Sequence, residues 1–150
     1  MPHSFVVHPP LRFLTSLNFC QKSLLSVASG ILSILTFPKA ELSLLAWFCL
    51  VPLMISLYRE RSTWQAFFFG FLTGFVFFIG VCYWITDVLE RYGGLGWTGA
   101  FALFLLLVAY LSFFYALFSL SFSRLSIFLS VRCFYLSPFF WVTAEYLRGH

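Results

Sequence analysis

Two short constellations in this chain carry residue types that chemistry needs. The first lies in YWITDVLERYGGLGW (83–97), where Asp87, Glu90 and Arg91 crowd beside Gly93 and Gly94. Asp87 and Glu90 are three apart, so on a helix they share a face, and two neighbouring carboxylates can divide acid and base roles. At a water-exposed turn they are instead ordinary solvated carboxylates with Arg91 as a weak local partner. The second reading is favoured, because Gly93 and Gly94 permit positive φ and a sharp reversal of the chain. The second constellation is EYLRGH (145–150), where Glu145 and Arg148 are again three apart and within reach of each other on a helix.

The nucleophiles are less promising. The four cysteines, Cys20, Cys49, Cys82 and Cys133, show no metal-ligand spacing, so no metal and no cofactor is expected. Three of them sit in apolar runs, where Cys behaves as a small hydrophobe and a poor nucleophile. No residue is therefore assigned a catalytic role.

The elements that must position these residues follow from composition. Of 150 residues, 61% are hydrophobic, 23% aromatic and only 9% charged, against roughly 25% charged in a soluble domain. So few charges cannot cover a water-exposed surface, and the chain reads as an integral membrane protein. The formal charge is +4, but the basic residues are scattered singly and do not interleave with stacking aromatics, so a nucleic-acid partner is excluded.

A bilayer core needs about 20 apolar residues in a helix, and only helices or closed barrels satisfy the backbone there. The apolar runs here do not alternate as barrel strands would. The fold class is therefore all-α, a polytopic membrane bundle of about five transmembrane helices. Residues 1–22 form a cytoplasmic leader and 23–150 the helical domain, with spans near 23–37, 42–58, 65–86, 98–122 and 133–148. The first span is short and rivals a secretory signal peptide, but its cleavage pattern is weak, which favours an uncleaved helix. Pro38, Lys39 and Glu41 make a turn, and Pro52 is expected to kink the second span. Residues 124–132 read as a polar linker. Gly70 and Gly74, four apart, suit close helix packing. Ser112, Ser119, Ser121 and Ser123 are accounted for by hydrogen bonds within their own helix.

With the amino terminus cytoplasmic, Arg12, Lys22, Arg59, Arg61, Arg124 and Arg132 lie inside and Lys39, Arg91 and Arg148 outside, in line with the positive-inside tendency. Segment 83–97 and the carboxyl end then lie on the outer face. Tyr83, Trp84 and Trp97 make an aromatic rim of the kind found at membrane interfaces. Glu145 lies one turn inside the presumed membrane edge, where an unpaired charge is costly, so its expected partner is Arg148. Trp47, Pro52, Pro138 and Trp141 read as packing and helix-shaping residues.

The order of motifs has a likeness. LAWFCLVPLM (45–54), FGFLTGFVFFIGVCYW (69–84), YGGLG (92–96), LFLLLVAYLSFFYALFSLSFSRL (103–125) and SPFFWVTAEYLRG (137–149) together resemble the amino-terminal membrane region of bacterial apolipoprotein N-acyltransferases. That resemblance implies an enzyme of the bacterial inner membrane, multi-pass, which moves an acyl chain from a phospholipid donor to the amino-terminal cysteine of an apolipoprotein acceptor. It proceeds through an acyl-thioester on an enzyme cysteine in a nitrilase-like domain on the outer face. No segment here can form that domain, none of the four cysteines matches the family nucleophile, and the chain alone is expected to be inactive. The implied role is anchor and lipid entrance, with Tyr83, Trp84, Arg91, Trp97, Glu145 and Arg148 as lipid-binding candidates. The competing class is a small multispan transporter or scaffold, which calls for discontinuous helices or paired polar groups at mid-depth.

Overall fold

A computed structural model describes residues 17–36, 48–94, 96–129 and 133–149; for 134, 140, 144, 145 and 147–149 it describes the backbone alone. Six helices follow one another: α1 (Phe19–Leu35), α2 (Val51–Leu57), α3 (Thr63–Cys82), α4 (Ile85–Tyr92), α5 (Trp97–Leu129) and α6 (Cys133–Gly149). Among the described residues there is no strand. The expected leader as far as residue 16, the turn of Pro38, Lys39 and Glu41, Trp47 and Arg132 lie outside the described residues.

Local chemistry sets the helix boundaries. The Asn18 N–H donates to Gln21 Oε1 at 3.0 Å, satisfying one of the backbone donors left open at the start of α1. Ser62 caps α3, its hydroxyl accepting from the Gln65 N–H. Pro52 stands in the first turn of α2, where a missing N–H costs nothing. It therefore opens a helix where a kink inside a longer one was expected. Residues 124–129, read as linker from their polarity, continue α5 to Leu129. No Gly or Pro interrupts that segment, and Arg124 uses the helix surface to reach the Thr63 hydroxyl. With 33 residues, α5 is about 50 Å long at 1.5 Å per residue.

The contacts establish direction. Phe19 stacks on Phe68, the Thr73 hydroxyl donates to Ser26 O, and Ile34 packs against Gly80, so α1 and α3 run parallel. The intervening segment returns antiparallel to α1, with Ser29 Oγ donating to Cys49 O and Ser26 beside Ser56. Helix α5 runs antiparallel to α3, with Thr63 opposite Arg124 and Gly74 opposite Ser112. The first turn of α6 packs with Phe122 and Leu57 through Cys133. Further along, Trp141 meets Tyr115 and Phe118 edge-on at 4.8 and 5.3 Å.

The most extensive contact is between α3 and α5, and the glycine pair makes it possible. A Cβ on Gly70 would stand 2.7 Å from the Tyr115 carbonyl oxygen, and one on Gly74 2.9 Å from Tyr115 Cβ. Both approaches are closer than side-chain carbons tolerate, so the two backbones meet there as the spacing suggested. Gly80 serves a different neighbour, Ile34 of α1.

Helices α3 and α5 are long and apolar enough to cross a membrane, by length and composition. The burial pattern of α1 reverses the soluble rule, and α5 buries serines beside Phe104, Val108, Phe118 and Phe122. On α1 the buried residues are Ser26, Ser29, Gly30 and Ser33, while Leu24 is 64% exposed and Ile31 48%. On α5, Ser112, Ser119, Ser123 and Ser126 are buried among aromatics, while Leu106, Tyr110 and Phe113 face outward. A water-soluble helix turns its apolar stripe inward. A helix in lipid gains nothing by that and places small and hydroxyl residues where backbones touch.

Candidate functional site

Chain direction sorts the described charges to two ends of the bundle. The first turns of α1 and α3, the loop 58–62 and the last turns of α5 meet at one end, here called the clasp end. At the other end, α3 passes through α4 into α5.

The α4 end holds four of the six expected lipid-binding residues. Tyr83 and Trp84 form the turn after α3, where Thr86 Oγ1 donates to Tyr83 O at 2.6 Å. The segment read as a turn then makes two turns of helix, α4. It is amphipathic: Asp87, Glu90 and Arg91 are exposed and Ile85 and Leu89 half-buried. The Gly93 N–H donates to Leu89 O and ends the helix. Of the two glycines, Gly94 alone takes positive φ, at 62°, while Gly93 is at −84°. Asp87 in the first turn and Arg91 in the last suit the helix dipole. Arg91 forms no ion pair with either carboxylate, the sole ion pair among the described residues lying elsewhere. Trp97 stacks on Phe101 with ring planes 4° apart and stays 64% exposed, and Tyr92 adds a ring that is 85% exposed. Arg91 thus has no ion-pair partner among the described residues, and it shares this end with four exposed aromatics.

Glu145 and Arg148 are on α6, as expected. Their backbone positions follow Trp141 by one to two turns, towards the α4 end, and their side chains lie outside the described residues. The structure therefore brings Tyr83, Trp84, Arg91 and Trp97 to one end.

Nothing in the sequence singled out the clasp. Lys22 Nζ meets Glu60 Oε2 at 2.5 Å, with 11% and 9% of the two side chains exposed. The other carboxylate oxygen accepts from the Ser62 N–H at 3.0 Å, and the Gln65 amide, suitably oriented, donates to both oxygens at 3.3 Å. The Glu60 carbonyl accepts from Ser123 Oγ at 2.6 Å, and the Arg59 N–H donates to Ser126 Oγ at 3.0 Å. Arg59 sits at φ 57°, a left-handed conformation unusual for a side chain of its kind. Pairing across 38 residues leaves no periodic trace.

The serines of α5 divide. Ser112 and Ser121 bond back to Val108 O and Leu117 O, four residues earlier in their own helix; Ser123 donates to the loop between α2 and α3, and Ser126 donates to Ser123 O while accepting from that loop. The Ser119 hydroxyl, packed on Gly70, has no hydrogen-bond partner among the described residues. Cys49 and Cys133 are buried, Cys133 within the core cluster of Leu53, Leu57, Tyr58, Phe69 and Phe122.

An all-helical domain with an apolar exterior, serines set among the aromatic residues of its interior, and charged ends is the class that this architecture defines. Residues 29–150 match the family model described as "Apolipoprotein N-acyltransferase N-terminal domain", and the chain belongs to that family. It is 35% identical over 131 residues to the apolipoprotein N-acyltransferase of Geobacter metallireducens. That alignment covers 84% of this chain and 24% of the relative, so the chain spans about a quarter of the length of the curated protein it matches. No solved structure matches.

Proposed function

We propose that this chain is the membrane-embedded part of an apolipoprotein N-acyltransferase, anchoring the enzyme in the bacterial inner membrane and forming its lipid entrance at the α4 end. The observation that carries the reading is the burial of α1, serines inside and Leu24 and Ile31 outside, beside an α5 that exposes Leu103, Leu106, Phe113 and Leu117, in a chain of this family. Such helices are stable only in an apolar solvent. The amino terminus is cytoplasmic and about five spans cross the bilayer. Charge supports this orientation. Among the residues with described side chains the clasp end has four cations against one carboxylate and the α4 end one cation against two carboxylates, as the positive-inside rule expects.

On this reading α4 lies along the outer interface, its aromatic rim at headgroup depth. Arg91 meets the phosphate of an entering phospholipid acyl donor. Glu145 and Arg148 follow along α6 on the same side, and the apolipoprotein acceptor meets the enzyme through parts beyond this segment. A transporter would need its ionisable groups at mid-depth, whereas those with described side chains collect at the two ends.

The test is kinetic. In a full-length enzyme carrying this segment, Arg91→Ala combined with Trp97→Ala should raise KM for phospholipid and spare kcat. Unchanged KM at normal abundance would remove the entrance role. A reporter fused after His150 should behave as exported; activity of a cytoplasm-only reporter there would reverse the orientation.

A further inference from the structure

The sequence Arg59-Glu60-Arg61 is half-neutralised as written. Folding undoes this. Glu60 turns inward, where its carboxylate is held by Lys22 and the Ser62 N–H. Its carbonyl is fixed by Ser123, and the Arg59 N–H by Ser126. The flanking arginines are left without a described carboxylate: Arg61 is exposed and Arg59 partly so. Arg124, also exposed, reaches across from α5 to donate to the Thr63 hydroxyl. A guanidinium has five N–H donors, so that bond leaves most of the fork available. Two turns of different helices and a pinned loop thus present Arg59, Arg61 and Arg124 together, and the acid that would quench them is hidden.

Their depth indicates what they meet. Trp64, in the first turn of α3, is 75% exposed and stacks on Phe67, the placement of an interfacial anchor. Immediately beyond it the exposed surface of α3 becomes apolar. If α3 and α5 cross a bilayer, these three arginines stand at the level of lipid phosphates.

We propose that the clasp end is a binding site for an acidic phospholipid headgroup, in the leaflet opposite the α4 end, with Arg61 and Arg124 as its principal phosphate ligands. The bilayer-crossing reading is a premise of this inference; the acyltransferase activity is not. Planar guanidinium forks bind phosphate oxygens bidentately, and a loop already fixed in place gives up little freedom on binding. The buried Lys22–Glu60 pair keeps the site free of its own carboxylate.

The test uses the whole chain reconstituted in nanodiscs of phosphatidylcholine with or without phosphatidylglycerol, then released into detergent for native mass spectrometry of retained lipid. Incorporation into phosphatidylcholine discs tests the premise separately from lipid choice. The unmodified chain should retain phosphatidylglycerol in preference to phosphatidylcholine. Each of Arg61→Gln and Arg124→Gln should reduce that preference about fivefold and the pair about 25-fold, the effect of surface cations on acidic lipid. Arg61→Lys with Arg124→Lys should keep more of it than the glutamine pair. An unaltered preference in the double variant with normal helix content overturns the proposal. Displacement of the lipid by inorganic phosphate alone would assign the site to a free anion and also overturn it.

Discussion

The two ends of the bundle are built on opposite principles. At the clasp end, Lys22, Glu60, Ser62, Ser123 and Ser126 come from three separate stretches of chain and hold one another through an ion pair and hydrogen bonds of 2.5 to 3.0 Å. At the α4 end, the recorded bonds close local turns: Thr86 to Tyr83 and Gly93 to Leu89. Among the described residues the charges of α4 make no ion pair, and no residue of that helix is buried. A network with distant members is lost as a whole when one member goes, whereas an exposed local helix tolerates change. The first end is suited to holding helices together and the second to meeting something mobile.

That contrast predicts a ranking of mutational effects, readable by denaturant unfolding in detergent with far-UV circular dichroism. Lys22→Ala strands a buried carboxylate and should cost about 3 to 5 kcal/mol. Lys22→Met with Glu60→Leu should recover most of the loss, and a double variant as unstable as the single would refute the pair's isolation from water. Gly70→Ala, at the seam below the clasp, should cost about 1 to 3 kcal/mol through overpacking against Tyr115 and Ser119. An unchanged midpoint would mean that α3 and α5 do not meet there. Ser126→Ala removes the acceptor for the Arg59 N–H and should cost about 1 kcal/mol; pairing it with Arg59→Gly should offset part of that by relieving the left-handed strain.

At the α4 end the effects should be smaller. Gly94→Ala meets no atom within 4 Å, so its cost is the backbone strain at φ 62° alone, about 1 kcal/mol. Asp87→Asn and Arg91→Ala should leave the unfolding midpoint where it is. A large drop from either would mean that α4 is as tightly tied as the clasp, and the contrast between the ends would fail.

Legibility in the sequence followed the range of the interaction. The close seam between α3 and α5 was readable from GFLTG because two glycines four apart are a local signal. The amphipathic helix α4 is half-readable: the shared face of Asp87 and Glu90 is a local pattern, but Gly93-Gly94 signals a turn, and only the second of them takes positive φ. Polarity misled at 124–129, where serine and arginine suggested a linker although nothing there breaks a helix. Pro52 was recognised as a helix-shaper but assigned to the interior, since its position relative to the helix start depends on the backbone around it. The clasp was invisible because its partners are 38 and 63 residues apart.

Composition and period alone determined that the chain is helical and that its surface suits an apolar solvent, each a sum over residues or a pattern within a few turns; the resemblance to a family rested on the order of its motifs. Tertiary structure decided which way each helix faces, that α1 and α3 run parallel, and that Glu60 lies inside against Lys22 while its two arginine neighbours remain outside. Those outcomes depend on which distant groups arrive together, and a buried carboxylate is stable only where a cation from elsewhere in the chain meets it.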